Sequence, residues 1–250
     1  MSAPAPCPNC GTEPIGAYCH ACGQQQQVEH TLFTVLGKTA SDIGHLDQVL
    51  LRTLVDLLRR PGDLVADVLR GKTKPYAKPI ATLVLVASTQ FLIMRLTGYT
   101  EAIAILQAQR DQGIAASLQQ RINEMMLEWG QYVGLFALPF ASFSSWHIDG
   151  RRRPYGHWLV FYAYAVAGTS VIGILVALPF IGHPRMYAGA MVAQMPLMVA
   201  YFAWAARRAF GIGWLRAIFG VAAPWFFAII MMSFVLLIIG LVVLLIVSPA

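Results

Sequence analysis

Apolar residues dominate the sequence from about residue 79 onward, in runs long enough to cross a lipid bilayer. A spanning helix needs about 20 mostly apolar residues. The last run begins near residue 217 and exceeds the length of one span, so Pro224 is predicted to divide it into an interfacial segment and a span. The pattern as a whole predicts five spans, at about 80–96, 132–146, 158–181, 188–206 and 225–247.

A polar segment with helical periodicity precedes the first predicted span. Apolar residues between positions 46 and 58 recur at the spacing of one helix face. Pro61-Gly62 is expected to end this helix, and Asp63 to cap a second amphipathic helix that ends at Gly71. Two arrangements are open: the helices lie on the membrane headgroups, or they pack on the protein's own cytoplasmic face. Both can hold together.

Composition agrees with a membrane protein. Of 250 residues, 57% are hydrophobic and 12% charged, whereas a soluble domain has about 25% charged residues. We therefore predict an all-α polytopic membrane protein with about five transmembrane helices, a small N-terminal zinc ribbon and amphipathic juxtamembrane helices. The predicted boundaries are 1–28 for the ribbon, 29–78 for the linker and cytoplasmic helices, and 79–250 for the transmembrane domain.

The distribution of lysine and arginine predicts the orientation. Residues 1–78 hold eight of the 18 basic residues, and the segments 147–157 and 207–216 hold three each. The other two loops between predicted spans hold three in all, and the C-terminal tail has none. By the positive-inside rule, the N-terminus is expected in the cytoplasm and the C-terminus in the periplasm of a bacterial inner membrane.

All four cysteines lie in the first 22 residues, as two Cys-x-x-Cys-Gly motifs. Two such pairs can place four thiolates tetrahedrally around Zn²⁺. A pair of disulfides would require an oxidising compartment, which the predicted cytoplasmic location disfavours. His20 is expected to be a bystander, because four thiolates complete the shell. The predicted structural zinc ligands are Cys7, Cys10, Cys19 and Cys22.

The charge around the cysteines argues against a nucleic-acid partner. Phosphate contacts require lysine or arginine, and the first basic residue in the chain is Lys38. The segment instead carries Glu13 and Glu29, and four thiolates around one zinc ion add two negative charges. A zinc shell closed by four protein ligands also has no open position for catalysis.

The motifs CxxCG…YCxxCGQ, followed by "LLRTLVDLLRRPGDLVADVLRGKTKPYAKP" and a span, resemble an uncharacterised bacterial membrane family, domain of unknown function 3667. The resemblance covers about residues 5–95. It implies a membrane protein with an N-terminal zinc ribbon and supplies no activity. The matching positions are Thr53, Leu57, Arg60, Pro61, Gly62, Gly71, Lys72, Tyr76 and Pro79.

Few polar residues fall inside the predicted spans. Gln90, Gln194 and Arg95 either form a functional polar site or serve as packing contacts and, for Arg95, as an interfacial anchor. The spans contain no aspartate or glutamate, which disfavours ion-coupled transport. A lipid-modifying enzyme would have to use Asp149 with His147 and His157.

Basic residues near the inner surface could bind anionic lipids, although orientation alone also explains them. They are Arg59, Arg60, Arg70, Lys72, Lys74, Lys78, Arg151, Arg152 and Arg153.

The sequence thus favours a non-enzymatic inner-membrane protein whose cytoplasmic zinc ribbon docks or scaffolds a protein partner. The alternative is a small-molecule or lipid transporter with the ribbon as a regulatory appendage. The expected partners are membrane lipids and a protein bound by the ribbon, and the sequence leaves substrate, partner identity and oligomeric state open.

Overall fold

A computed structural model of the chain describes residues 6–25, 47–98, 102 and 135–247. These residues are helical except for the cysteine-containing segment and short connections. The predicted linker and the start of the second predicted span lie outside the described residues. The helices are α1 (Asp47–Arg59), α2 (Pro61–Leu69), α3 (Pro79–Leu96), α4 (135–148), α5 (Tyr155–Ala177), α6 (Pro184–Phe210), α7 (Trp214–Ala217) and α8 (Ala223–Val247).

Four of the described helical segments are long and apolar enough to cross a membrane, which is consistent with a membrane protein. Helix α4 coincides with the second predicted span, but its described part is shorter than a full span. The count of five spans therefore stays a prediction. The four segments are Pro79–Leu96, Tyr155–Phe180, Pro184–Phe210 and Trp214–Met232.

The junction between α1 and α2 differs slightly from the sequence prediction. Helix α2 begins at Pro61, two residues before Asp63, and Arg60 at the N-cap makes no side-chain capping bond. Proline suits the first helical position because its fixed φ is helical and its missing N–H needs no partner there. Asp63 lies in the first turn instead, where a carboxylate interacts favourably with the helix dipole.

Helices α1 and α2 pack on the membrane bundle. Leu57, Leu64 and Val65 are buried in one core cluster that also contains side chains of α5 and α6. This confirms packing on the protein's own surface as one of the two predicted arrangements. Leu51 and Val55, one turn apart on α1, are 64% and 37% exposed, so this part of α1 also offers apolar side chains to a headgroup layer.

Helix α5 forms the centre of the bundle, and its core is aromatic. Trp158, Phe161 and Tyr162 are buried. Trp225 of α8 stacks on Tyr162 and on Phe202 of α6, with ring centroids 5.8 and 5.7 Å apart. The large rings fill the space between three helices and bury much apolar area per residue.

Pro224 does not interrupt the last helical run. A π-helical turn, Ile218–Ala222, lies directly before it and connects α7 to α8 without a loop. A proline lacks an N–H and its ring crowds the carbonyl one turn earlier, and a wider π-turn is a common way to relieve that conflict within a helix. The predicted interfacial segment and span are therefore parts of one continuous helical segment.

Three buried tyrosines each donate a hydrogen bond to a backbone carbonyl close to a proline. Tyr201 donates to Leu57 O (2.9 Å), Tyr164 to Ala77 O (2.5 Å) and Tyr162 to Val221 O (2.7 Å). Leu57 lies four residues before Pro61, which has no N–H to donate to that carbonyl. Tyrosine hydroxyls from the central helices thus satisfy carbonyls where the helical hydrogen-bond pattern begins, ends or changes.

Candidate metal centre

The two cysteine motifs fold into equivalent turns. In the first, Gly11 N–H donates to Cys7 O (2.8 Å) and Cys7 N–H donates to Thr12 O (3.0 Å). In the second, Gly23 N–H donates to Cys19 O (2.7 Å), and Cys19 N–H to the carbonyl of the following glutamine (2.8 Å). Both glycines have positive φ, +79° and +70°, a conformation that favours glycine because it has no Cβ. The motif sequence therefore dictates the turn.

The turns bring the four sulfur atoms together. Cys7 Sγ lies 3.7 Å from Cys22 Sγ, and Cys10 Sγ lies 3.5 Å from Cys19 Sγ. All four ligand atoms lie within 4.8 Å of one another, and none of the cysteines is in a disulfide. The cluster could hold a metal ion, as predicted, and His20 is exposed and is not part of it.

Only an isolated antiparallel bridge, between Tyr18 and Gln25, pairs extended backbone within residues 6–25. A segment this short buries little apolar surface, and its only fully or nearly buried side chains are Cys7, Cys19 and Gln24. A segment with so small a core depends for its stability on contacts with the rest of the chain or on a metal ion that the cluster could hold.

The thiols differ in their environments. Burial raises the pKa of the Cys19 thiol to about 11. Hydrogen bonding with Thr12, whose Oγ1 lies 3.4 Å from Cys10 Sγ, lowers the pKa of the Cys10 thiol. At neutral pH the Cys19 thiol would keep its proton in the absence of a metal ion. Because a metal binds the thiolate, binding must release this proton and should strengthen as pH rises.

The segment that carries the cysteines, residues 6–25, packs on the loop between α2 and α3. Gln24 is 1% exposed, and its side-chain amide donates to Thr73 Oγ1 (2.9 Å). Its side-chain oxygen accepts a hydrogen bond from Lys74 N–H (2.9 Å). Gln24 lies within the predicted ribbon, 1–28, but its role as an anchoring residue was not predicted. The glutamine that ends the second motif of the resemblance, YCxxCGQ, was the signal for it.

Much of the predicted basic surface is already engaged within the chain. Arg60 forms a two-pronged ion pair with Asp56, at 2.9 and 2.8 Å, which raises the pKa of the Arg60 guanidinium. Asp67 pairs with Arg70 at 2.6 Å and with Lys72 at 3.6 Å. These pairs lower the positive potential that residues 59–72 would present to an anionic membrane.

The polar side chains of the spans are partly brought together. A Cβ at Gly173 of α5 would lie 2.5 Å from Gln90 Nε2 of α3 and 3.0 Å from Gln194 Nε2 of α6. The two amides therefore converge at a position where α5 has no side chain. Arg95 does not join them: its guanidinium lies over the Phe91 ring, 5.0 Å from the centroid.

Two of the three side chains that a lipid-modifying enzyme would use lie close to arginines. Asp149 pairs with Arg153 at 2.7 Å, and His147 Nε2 lies 3.1 Å from Arg151 Nη2. Across residues 6–25, 47–98, 102 and 135–247, the only group of three or more side chains suited to metal binding is the cysteine cluster. The structure thus gives no support to a catalytic site at 147–157.

The described residues thus belong to a helical protein that combines candidate membrane spans with a four-cysteine cluster near the N-terminus. Residues 47–91 match the family model described as protein of unknown function, DUF3667. The match covers α1, α2, the loop and most of α3, and it excludes the cysteines. No curated protein and no solved structure shows significant similarity to the chain.

Proposed function

We propose that this chain is a non-enzymatic, multi-pass protein of the bacterial inner membrane whose N-terminal segment is a structural zinc module for protein docking. The observation that carries the proposal is the closed set of four cysteine sulfurs, held by two equivalent turns beside the start of a candidate span. A site with four protein ligands gives stability to a small fold rather than reactivity toward a substrate.

Zinc is the metal that fits this donor set best. With Zn–S bonds of about 2.3 Å, a tetrahedral site places sulfurs about 3.8 Å apart. The two shortest Sγ distances, 3.7 and 3.5 Å, agree with that geometry. Four thiolates and no imidazole or carboxylate also disfavour magnesium, calcium and manganese.

The proposed orientation places the zinc module in the cytoplasm and the C-terminus in the periplasm. It follows from the excess of lysine and arginine in residues 1–78 and in the segments 147–157 and 207–216. A reporter fused after Ala250 should be active in its periplasmic form. If a cytoplasmic reporter were active at that position, both termini would lie on the cytoplasmic side. The number of spans would then be even, and the prediction of five would be wrong.

The surface that would meet a partner protein is the tip of the module. Ile15 and Tyr18 are 84% and 62% exposed, and the cores of protein interfaces are apolar and enriched in aromatic side chains. Gln24, on the other hand, is buried against the loop. One face of the module is thus anchored and another is free to bind.

In-cell photo-crosslinking from position 13, next to this tip, tests the docking function. One or a few specific proteins should be captured from the full-length chain. Capture should disappear in an Ile15→Ser/Tyr18→Ser variant that retains zinc, and should persist in a Leu51→Ser/Val55→Ser control. The docking function would be contradicted if the full-length chain captured no protein, or if capture were identical in the two double variants.

The convergence of Gln90 and Gln194 at Gly173 favours transport of a neutral molecule as a second candidate function. A solvated path would let a water-soluble maleimide label Gln194→Cys, detected by mass spectrometry of the peptide that contains residue 194. Labelling there supports the transporter. Protection there, with labelling at the exposed control Ile181→Cys, leaves the amides as packing contacts between helices.

A further inference from the structure

The loop between α2 and α3 forms hydrogen bonds with both the nitrogen and the oxygen of the buried Gln24 side chain. Gln24 uses its amide N–H groups on Thr73 Oγ1 and Gln25 O, and its oxygen on Lys74 N–H. A buried amide is costly unless all its groups are paired. Here the pairing partners lie 49 and 50 residues further along the chain. The two segments are therefore built to fit one another.

Lys74 also reaches the second cysteine turn directly. Its ammonium group donates a hydrogen bond to Cys22 O. A Cβ at Gly23 would lie 2.8 Å from Lys74 Nζ, so the glycine of this turn is needed for the approach of the lysine as well as for its positive φ. On the first turn, Pro8 lies near Gly71: a Cβ added at Gly71 would lie 3.4 Å from Pro8 Cγ.

The hydrogen bond between Lys74 and Cys22 O brings a positive charge to a segment that would be negatively charged with a metal ion bound. Four thiolates and a divalent ion carry a formal charge of −2, and residues 6–25 contain no lysine or arginine. The only other charged side chain of that segment is Glu13, which is exposed and negative. Lys72 in the same loop points elsewhere, because its Nζ lies 3.6 Å from Asp67 Oδ2. Lys74 thus brings a cation to the backbone of the second cysteine turn.

The loop is fixed to the helices at its other end. Ala77 N–H donates to Thr53 Oγ1 of α1 (2.9 Å), and Ala77 O accepts from Tyr164 of α5 (2.5 Å). Helix α3 begins two residues later, at Pro79. The loop thus joins the cysteine cluster to the start of a candidate span through a short segment in which the N–H groups of Thr73, Lys74, Tyr76 and Ala77 are hydrogen-bonded.

We propose that Thr73 and Lys74 are the second half of the metal site, with Lys74 as the positioning residue that strengthens metal binding. The inference rests on the zinc occupancy proposed above. Residues that orient or neutralise metal ligands from outside the coordination shell typically change metal affinity 10–100-fold. By thermodynamic reciprocity, the metal ion also stabilises the docking of Thr73 and Lys74 on the cysteine segment.

The first test measures zinc affinity of the full-length protein in nanodiscs by competition with a chromophoric chelator. Lys74→Met should weaken zinc binding at least 10-fold. Lys72→Met, the same change in the same loop but at a residue paired with Asp67, should weaken it less than 2-fold. Equal affinities of the two variants would overturn the proposal. A wild-type protein that holds no zinc would overturn the proposed zinc module instead, so the two failures are distinguishable.

The second test needs no substitution, so it does not depend on the folding of a variant. Hydrogen exchange at single-residue resolution compares the Lys74 and Ala77 amides before and after zinc removal. Lys74 N–H is bonded to Gln24 and should exchange at least 10-fold faster without zinc. Ala77 N–H is bonded to Thr53 and should change less than 2-fold. Unchanged exchange at Lys74, or equal acceleration at both amides, would show that the loop is not specifically coupled to the metal.

Discussion

Replacing Gly62 with alanine should weaken the contact between α2 and α6. A Cβ at this position would lie 2.2 Å from Arg208 Cβ, 2.5 Å from Ala205 O and 2.8 Å from Ala209 N. Two of these atoms are backbone atoms of α6, which no rotamer change can move. Ordinary carbon contacts begin near 3.5 Å, so α2 would have to move away from α6 by on the order of 1 Å.

The cost follows from this displacement. Overpacking a core typically costs about 1–3 kcal/mol, and the upper end applies because the obstacle is backbone. For a chain of this length, ~3 kcal/mol corresponds to a loss of about 6–12 °C in Tm. The assay is thermal unfolding of the purified protein in detergent, followed by the helical circular-dichroism signal.

Gly189→Ala is the matched control. Gly189 also lies within a helix, but a Cβ there would meet nothing within 4 Å. Because alanine is the better helix former by about 1 kcal/mol, this variant should be at least as stable as the wild type. A Gly62→Ala protein with the same Tm as Gly189→Ala would refute the inferred close approach of α2 and α6.

Two further predictions concern buried and paired polar groups. Tyr201→Phe leaves Leu57 O without its donor and should destabilise the protein by about 1–3 kcal/mol. The control Ser144→Ala removes an exposed hydrogen bond to Phe140 O and should cost under ~0.5 kcal/mol. Equal unfolding temperatures of the two variants would contradict this role for Tyr201. Burial alone would raise the pKa of Asp67, but hydrogen bonds from Arg70 and Tyr76 and the charge of Lys72 outweigh it and lower that pKa. The stability that Asp67 contributes is therefore complete above its unfolded pKa of about 4 and is lost as pH falls through the lower folded value. Asp67→Asn should be less stable than the wild type at pH 7, with the difference in unfolding free energy shrinking below about pH 4; a difference independent of pH would contradict it.

The sequence predicted those features whose signal is local. The spacing of Cys7, Cys10, Cys19 and Cys22 predicts a cluster because the turn of a Cys-x-x-Cys-Gly motif is set by adjacent residues. The apolar runs likewise predict helices long enough to span a membrane. Both follow from short-range geometry, and the structure agrees on both.

Long-range contacts could not be predicted from the sequence in the same way. Gln24 lies in a run of four glutamines, and its partners Thr73 and Lys74 are some 50 residues away. Gly62 was interpreted as part of a helix stop, although its lack of a side chain also serves a contact with α6. In each case the partner lies in a distant segment, and no periodicity along the chain encodes the pairing.

The tyrosines of the central helices show the same limit. Tyr164 and Tyr201 lie within apolar runs, a pattern that indicates only bulky core residues. Their hydroxyl partners are carbonyls 87 and 144 residues away. The prolines marked where helices begin, but they did not reveal which side chains would pair with the carbonyls nearby.

The zinc content of the purified full-length protein is the most direct test of the central claim. Inductively coupled plasma mass spectrometry should find one zinc ion per chain in the wild type and less than one tenth of that in Cys10→Ser. His20→Ala should retain the full amount, because its side chain lies outside the cluster. A wild-type protein without stoichiometric zinc, or zinc retained equally in Cys10→Ser, would contradict the structural zinc module.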